Sequence, residues 1–333
     1  MSKEDVKKKI QKHLNSIIKI INDQEDVKTS QNLLVYAIDE LEKNVQSKPS
    51  AQKQQEEEEE KKENNDISII TWNVNQLKQT ENKHIQRIHQ FIVDTNANIV
   101  CLQEVTDKEA LIEIKSLLNK NYKGNEVWDC EFQETGQGYQ QQEISACFYN
   151  TNKFKLKAVY YGKDNFEYTR KPQILYLEKE GKIFTVVNFH LKDASSGAQN
   201  KIRLENEIKN LKPLSDTLKE DQKGGNPFLT LLVGDFNRNL TIQKENYFDI
   251  SSTIFGTPNE STMSSKSQSK SKQKRDQTYD QIIAILNNPK ETTVQLKQIV
   301  FDDCSMKLMN GQYISDHLAV GYDIKFEDQK ISS

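Results

Sequence analysis

From Asp66 onward the chain carries short apolar runs of strand character: ISIITWNV (67–74), ANIVCLQEV (97–105), EISACFYN (143–150), ILYLE (174–178), IFTVVNFHL (183–191), FLTLLVGDF (228–236), DQIIAIL (280–286) and HLAVGYDI (317–324). β-Branched and aromatic residues are frequent in them, as strands favour. Apolar positions do not alternate strictly with polar ones, which predicts strands covered on both faces. Three longer amphipathic segments, 82–95, 107–119 and 200–220, predict helices between the strands. Strands and helices mixed in this way predict an α/β layered domain over 66–326, two sheets packed together and flanked by helices.

The first 65 residues have a different texture. Val6, Ile10, Leu14, Ile17, Ile18 and Ile21, then Leu33, Leu34, Ile38, Leu41 and Val45, recur at helical spacing around a polar stretch at 22–26. This predicts a helical hairpin over 1–46. It reads as an accessory element packed on itself or on the main domain, with docking of a protein partner as the functional alternative. Residues 47–65 hold five consecutive glutamates and no large apolar side chain. They read as an acidic linker, because nothing there offsets the entropy of ordering the chain. A second polar stretch, 259–278, is rich in serine and lysine; its Lys266, Lys270, Lys272, Lys274 and Arg275 read either as a merely solvated loop or as a basic loop that contacts a phosphate backbone.

Charge and composition narrow the function. The net charge of −3 does not advertise a polyanion binder, so any nucleic-acid role has to rest on local basic patches or on a metal. Apolar runs stay far below the ~20 residues of a membrane helix, and MSKEDVKKKIQ lacks the apolar core of a secretory signal. The four cysteines, Cys101, Cys130, Cys147 and Cys304, show no CxxC or zinc-like spacing. An intracellular protein with reduced thiols, in cytoplasm or nucleus, is expected. P-loop, GxSxG and HExxH motifs are all missing, which removes the NTPase, serine hydrolase and zincin readings.

The ends of the apolar runs carry the chemistry. Asn73 closes the first, Gln103-Glu104 the second and His190 the fifth; Gly-Asp-Phe-Asn (234–237) closes the sixth, and Ser-Asp-His (315–317) opens the last. Layered α/β proteins collect ligands at strand ends, where a rigid sheet aims side chains into one crevice. Oxygen groups such as Asn73, Glu104 and Asp316 suit Mg²⁺ or Mn²⁺. Histidines near carboxylates suit acid–base work at neutral pH. Asn237 is able to hold a phosphoryl oxygen without adding negative charge.

In this order the segments resemble the endonuclease/exonuclease/phosphatase superfamily, whose members include deoxyribonuclease I. The resemblance runs over about 66–325 and rests on TWNVNQL (Asn73), CLQEV (Glu104), QEISACFYN (Glu143), FEYTRKP (Arg170), NFHLKD (His190), GDFNRN (Asp235, Asn237), TYDQI (Asp280) and SDHLAV (Asp316, His317). It implies a four-layer α/β sandwich with the site at one edge. It also implies Asn73, Glu104 and Asp316 as ligands of Mg²⁺ (or Mn²⁺), His190 oriented by Glu143, and His317 oriented by Asp280. Asp235 and Asn237 would grip phosphate or place the attacking water, and Arg170, Asn237, Lys272 and Arg275 would contact substrate. Departures from deoxyribonuclease I itself are Thr106 in place of its DNA-contacting arginine, Gln141 in place of a tyrosine, no disulfide beside GDFN, and Tyr279 in place of an aliphatic residue.

The expected activity is in-line hydrolysis of a phosphoester without a covalent intermediate, with DNA or RNA as the leading substrate. One alternative is a phosphatase or phosphodiesterase on a small or lipid-linked phosphate. The GDxNYR and WCDR strings of the inositol phosphatase branch are missing. The other alternative is an inactive scaffold, against which the retained Asn73, Glu104, His190, Asp235, Asn237 and His317 argue.

Overall fold

The computed structural model describes residues 67–120, 127–137, 142–162, 166–194, 197–220, 227–241, 248, 251–256, 279–287, 292–299, 301, 306–308 and 314–328. The expected hairpin over 1–46, the linker over 47–65 and the basic loop with Lys272 and Arg275 lie outside them.

Twelve strands form two six-stranded mixed sheets among the described residues. The first sheet runs β11 (Thr292–Ile299), β12 (Val320–Asp328), β1 (Ile67–Leu77), β2 (Ile99–Val105), β4 (Gln142–Asn150), β3 (Trp128–Gln137). The second runs β5 (Lys155–Tyr161), β6 (Gln173–Lys179), β7 (Lys182–His190), β8 (Pro227–Asp235), β10 (Asp280–Leu286), β9 (Thr253–Gly256). Each sheet has one parallel pair at its centre, β1 with β2 and β7 with β8; the other pairs are antiparallel. A parallel pair needs a crossover. Helix α1 (Asn82–Thr95) supplies it between β1 and β2, and α3 (Ala198–Lys209) with α4 (Leu211–Glu220) supplies it between β7 and β8. Helix α2 (Lys108–Asn119) follows β2.

Burial follows from this layering. Ile69, Ile99, Cys101, Cys147, Leu175, Val186, Leu231 and Ile282 pack between the sheets, with one face of each strand turned inward. On the outer face of the first sheet Trp72, Leu102 and Phe148 meet Ile85, Ile88 and Phe91 of α1 and Leu111 and Ile114 of α2. On the outer face of the second, Tyr176, Val187 and Leu232 meet Leu204, Ile208, Leu214 and Leu218 of α3 and α4. Central strands are thus covered on both faces, as their unbroken apolar runs require.

The expected helix over 200–220 is two helices, joined at Asn210. Pro213 has no N–H for the carbonyl of Lys209, so one continuous helix would lose that bond; in the first turn of a new helix the N–H is not needed. Gly234, near the end of β8, has φ +134, and a Cβ there would lie 2.0 Å from the Phe189 carbonyl oxygen of β7. Only glycine lets the two parallel strands approach where they deliver His190 and Asp235. Among the described residues no helix is long and apolar enough to cross a membrane.

Candidate active site

The chain direction of the two parallel pairs places the polar strand ends together. β1 carries Asn73 and β2 carries Glu104 near their C-terminal ends, and β7 and β8 finish on His190 and Asp235. Their antiparallel neighbours start from the same edge, β4 with Glu143 and β10 with Asp280, and the segment entering β12 brings Asp316 and His317. Strand direction alone therefore gathers residues spread over some 240 positions of the sequence, as with the 242-residue separation bridged by Ser315 and Asn73.

Two irregularities aim the first-sheet residues. After Asn73 the pairing of β1 with β2 shifts register, and Asn75 and Gln76 take left-handed backbone (φ 49° and 61°). Asn73 Oδ1 accepts the Asn75 N–H at 3.0 Å and holds that turn. On β2 the pairing with β4 shifts between Leu102 and Val105, and Glu104 sits in the bulge at φ 57°. Left-handed backbone costs a non-glycine residue about 1–2 kcal/mol, and bulges of this kind re-aim side chains next to active sites.

Asp235 is the hub. Its Oδ2 lies 3.1 Å from Asn73 Nδ2 and 3.8 Å from Nε2 of both His190 and His317, while its Oδ1 accepts the Asn237 N–H at 2.8 Å. Glu104 Oε1 accepts from the same Asn73 Nδ2 at 2.9 Å and stands 3.6 Å from His190 Nε2. Each histidine is held from behind by a carboxylate. His190 Nδ1 lies 2.9 Å from Glu143 Oε2, and His317 Nδ1 lies 2.8 Å from Asp280 Oδ2. A carboxylate only accepts, so both rings carry hydrogen on Nδ1 and turn Nε2 toward Asp235. Ser315 fixes the last segment: its Oγ donates to the Asn73 carbonyl at 2.6 Å and accepts the His317 N–H at 3.1 Å. The Trp72 indole donates to the His317 carbonyl at 3.1 Å.

The electrostatics follow from these pairings. Burial would raise the Glu143 carboxyl, but the His190 hydrogen bond and charge, together with the Arg170 guanidinium, hold it down at about 2. Burial likewise opposes charge on Asp235, yet His317, His190, the Asn237 N–H and the Asn73 amide keep its carboxyl below the usual range. For His317 burial favours the neutral ring, and the nearby charges of Asp280, Asp235 and Asp316 overcome it and push the imidazole up to about 10. At neutral pH the structure therefore pairs an ionised Asp235 with an imidazolium at His317.

These residues fit a divalent cation. Glu104 and Asp235 converge on one neutral amide nitrogen, which leaves negative charge for a cation to offset, and their hard oxygens suit Mg²⁺ or Mn²⁺. The Glu104 side chain is 21% exposed against 2% for Asp235, so access is from the Glu104 side. Asp235, Asp280 and His317 also have donor atoms within 4.8 Å of one another. Asp280 is fully buried and already engaged with His317 Nδ1, so that group is less open to an ion.

The structure brings Asn73, Glu104, Glu143, His190, Asp235, Asn237, Asp280 and His317 together. Asn73 turns its amide nitrogen toward Glu104 while its oxygen stays on Asn75, so ligation through that oxygen would require the amide to turn over. Asp316 is half-buried beside His317, and among the described residues it makes no bond to Asn73 or Glu104. Arg170, expected on the substrate, occupies a bend before β6 and is buried. Its Nε and Nη2 hold Glu143 at 2.6 and 3.1 Å, and its Nη1 holds the Leu191 carbonyl at 3.1 Å. Asn237 Nδ2 donates to the same Leu191 carbonyl at 2.8 Å. Both side chains are engaged in building the site.

Glu207 of α3 was not singled out from the sequence. It is 3% exposed and accepts the N–H groups of Thr169 and Lys192 at 2.6 and 2.7 Å, tying the segment before Arg170 to the one after His190. A signal was present: Glu207 shares the apolar face of α3 with Leu204 and Ile208, where a carboxylate is out of place unless something inside receives it.

No protein-family model matches the chain, and no curated protein matches it in sequence. Solved structures do match in fold. D. rerio TDP2 complexed with single strand DNA product aligns with TM-score 0.54 at 16% identity, over 78% of this chain and 99% of that one. The human Nocturnin catalytic domain with bound sulfate aligns with TM-score 0.52 at 17% identity, over 79% and 95%. An endonuclease/exonuclease/phosphatase family protein from Bacteroides thetaiotaomicron aligns with TM-score 0.53 at 16% identity, over 80% and 99%. The chain thus shares the fold of these structures.

Proposed function

We propose that this protein is a divalent-metal-dependent phosphoester hydrolase whose substrate is a nucleic-acid phosphodiester. The observation that carries the reading is the convergence of two carboxylate-backed histidines on the buried Asp235, beside the more open Glu104. Carboxylate backing fixes the tautomer of each imidazole and raises its basicity, which acid–base work on a phosphoester beside a metal ion requires. The single strand DNA product bound to the TDP2 neighbour supports a nucleic-acid substrate.

Glu104 would hold the cation together with Asn73, once the Asn73 amide turns over to present its oxygen, with Asp316 as a third candidate; bound there, Mg²⁺ would offset charge on the phosphoryl oxygens. The remaining work belongs to the chain. His317, held as an imidazolium between Asp280 and Asp235, donates a hydrogen bond from Nε2 to a phosphoryl or leaving oxygen. His190, its Nδ1 hydrogen bonded to Glu143, presents Nε2 as the acceptor for a proton of the attacking water, next to the ionised Asp235 that orients that water. Asn237 holds Asp235 through its N–H, and Arg170 keeps Glu143 ionised behind His190. Lys272 and Arg275 lend charge for the backbone of a longer substrate.

The test is hydrolysis by full-length protein of single- and double-stranded DNA, RNA and a set of small phosphate esters, with Mg²⁺, Mn²⁺ or EDTA. Metal-dependent cleavage of a nucleic acid is expected, and replacing Lys272 and Arg275 by Gln should reduce the salt slope of single-strand binding by about 1.4. Turnover of small esters alone would remove the nucleic-acid reading, and a folded protein inert on every substrate would remove the hydrolase.

A further inference from the structure

Beneath the site, three polar side chains meet one another between the sheets. Thr71 of β1, Gln103 of β2 and Asn188 of β7 are each fully buried. They lie one or two residues from groups of the site: Thr71 two before Asn73, Gln103 next to Glu104, and Asn188 two before His190. Asn188 Nδ2 donates to the carbonyls of Leu102 on β2 and Ala146 on β4, at 3.2 and 3.1 Å. Gln103 Nε2 donates to Asn188 Oδ1 at 2.7 Å and to Thr71 Oγ1 at 2.9 Å. The amide orientations are forced. Two carbonyls fix the nitrogen of Asn188, which turns its oxygen toward Gln103 and so fixes Gln103 in turn.

The carbonyls that Asn188 reaches are not arbitrary. Leu102 and Ala146 are the last in-register pair of β2 and β4 before the shift that contains Glu104. Asn188 thus closes, from the opposite sheet, the mouth of the bulge that holds Glu104 in its left-handed conformation. An apolar side chain would fill the same space, so the polar group has to be explained by what it fixes. Apolar faces of packed sheets leave their relative offset loosely defined, whereas directed hydrogen bonds do not.

We infer that Asn188 and Gln103 are positioning residues: their cross-sheet bond locks the bulge at Glu104 and sets the Asn73–Glu104 half of the site against the His190–Asp235 half. The inference rests on the hydrolase reading for its effect on turnover, but not for its effect on structure or ion affinity. Where supporting residues of metal sites are removed, affinity or activity falls by about 10- to 100-fold.

The test uses full-length protein with Asn188→Leu, and with Gln103→Met, which conserves volume and removes the carboxamide. Mn²⁺ affinity is measured by titration calorimetry, kcat and KM on any substrate that the wild type cleaves, and the Glu104 conformation by crystallography of the metal-free variant. In each folded variant Glu104 should leave φ near 57° and withdraw from Asn73, Mn²⁺ affinity should fall about 10- to 100-fold, and kcat should fall with KM little changed. Should Asn188→Leu fail to fold, Gln103→Met decides. Glu104 unmoved, with Mn²⁺ affinity equal to wild type, would overturn the inference. A wild type that cleaves nothing removes the hydrolase reading instead, and the Glu104 conformation and Mn²⁺ titrations still decide this one.

Discussion

Asp280 Oδ2 stands 2.8 Å from His317 Nδ1, at the first residue of a central strand and fully out of solvent. This contact sets both the direction and the charge of the ring, since Asp280 is the foremost of the groups that raise the imidazole to about 10. Asp280→Asn should lower the His317 titration midpoint and cut kcat by about 100-fold or more, the range associated with a displaced acid–base group. Histidine NMR titration and steady-state kinetics check this. An unchanged midpoint would show that Asp280 does not govern the ring.

Glu143 faces His190 and Arg170, and its folded pKa is about 2 against an ordinary 4.5. A depressed carboxyl contributes stability that is present above pH 4.5 and lost as pH falls toward 2. Glu143→Gln should therefore destabilise the protein at pH 7 by about 3 kcal/mol, because the Arg170 guanidinium is left buried without its counter-charge. The gap from wild type should narrow as pH is lowered from 5 to about 3. Urea unfolding in EDTA at each pH measures it, and a gap that widens in acid would contradict the assignment.

Glu207 is argued to work at a distance from the reacting atoms. Glu207→Ala should free the Thr169 and Lys192 N–H groups at about 1–3 kcal/mol each and lower kcat. Hydrogen exchange at those two amides gives the direct reading. Protection unchanged at both would remove Glu207 from the scaffold of the site.

The sequence pattern located the interior strands well, since β1, β2, β4, β6, β7, β8 and β10 each have both ends within three residues of those of an apolar run, but it missed β3, β5, β9 and β11. All four are sheet edges. An edge strand needs no continuous apolar run, and charged residues protect its open side, as in KLKAVYY of β5 and TTVQLKQI of β11. β12 begins at Val320, three residues after the expected start, because Ser315 and His317 turn back to the end of β1. The convergence of the candidate site residues was legible because strand ends meet by topology. Their partnerships were not: Gln103 meets Asn188 across 85 residues and Thr169 meets Glu207 across 38, and no local pattern encodes such a pairing. The Arg170–Glu143 pair is illegible for the same reason, as it exists only in the folded chain.

The central claim is that Asp235, held ionised between two oriented imidazoles, supports metal-dependent hydrolysis of a phosphodiester. Single-turnover cleavage of an end-labelled single-stranded oligonucleotide in Mg²⁺, by wild type and by Asp235→Asn, tests it most directly. The carboxamide keeps the shape and removes the charge, so cleavage by the variant should fall about 100- to 10,000-fold while the fold and oligonucleotide binding persist. Equal cleavage by the two proteins, or cleavage by the wild type undiminished in EDTA, would contradict the account.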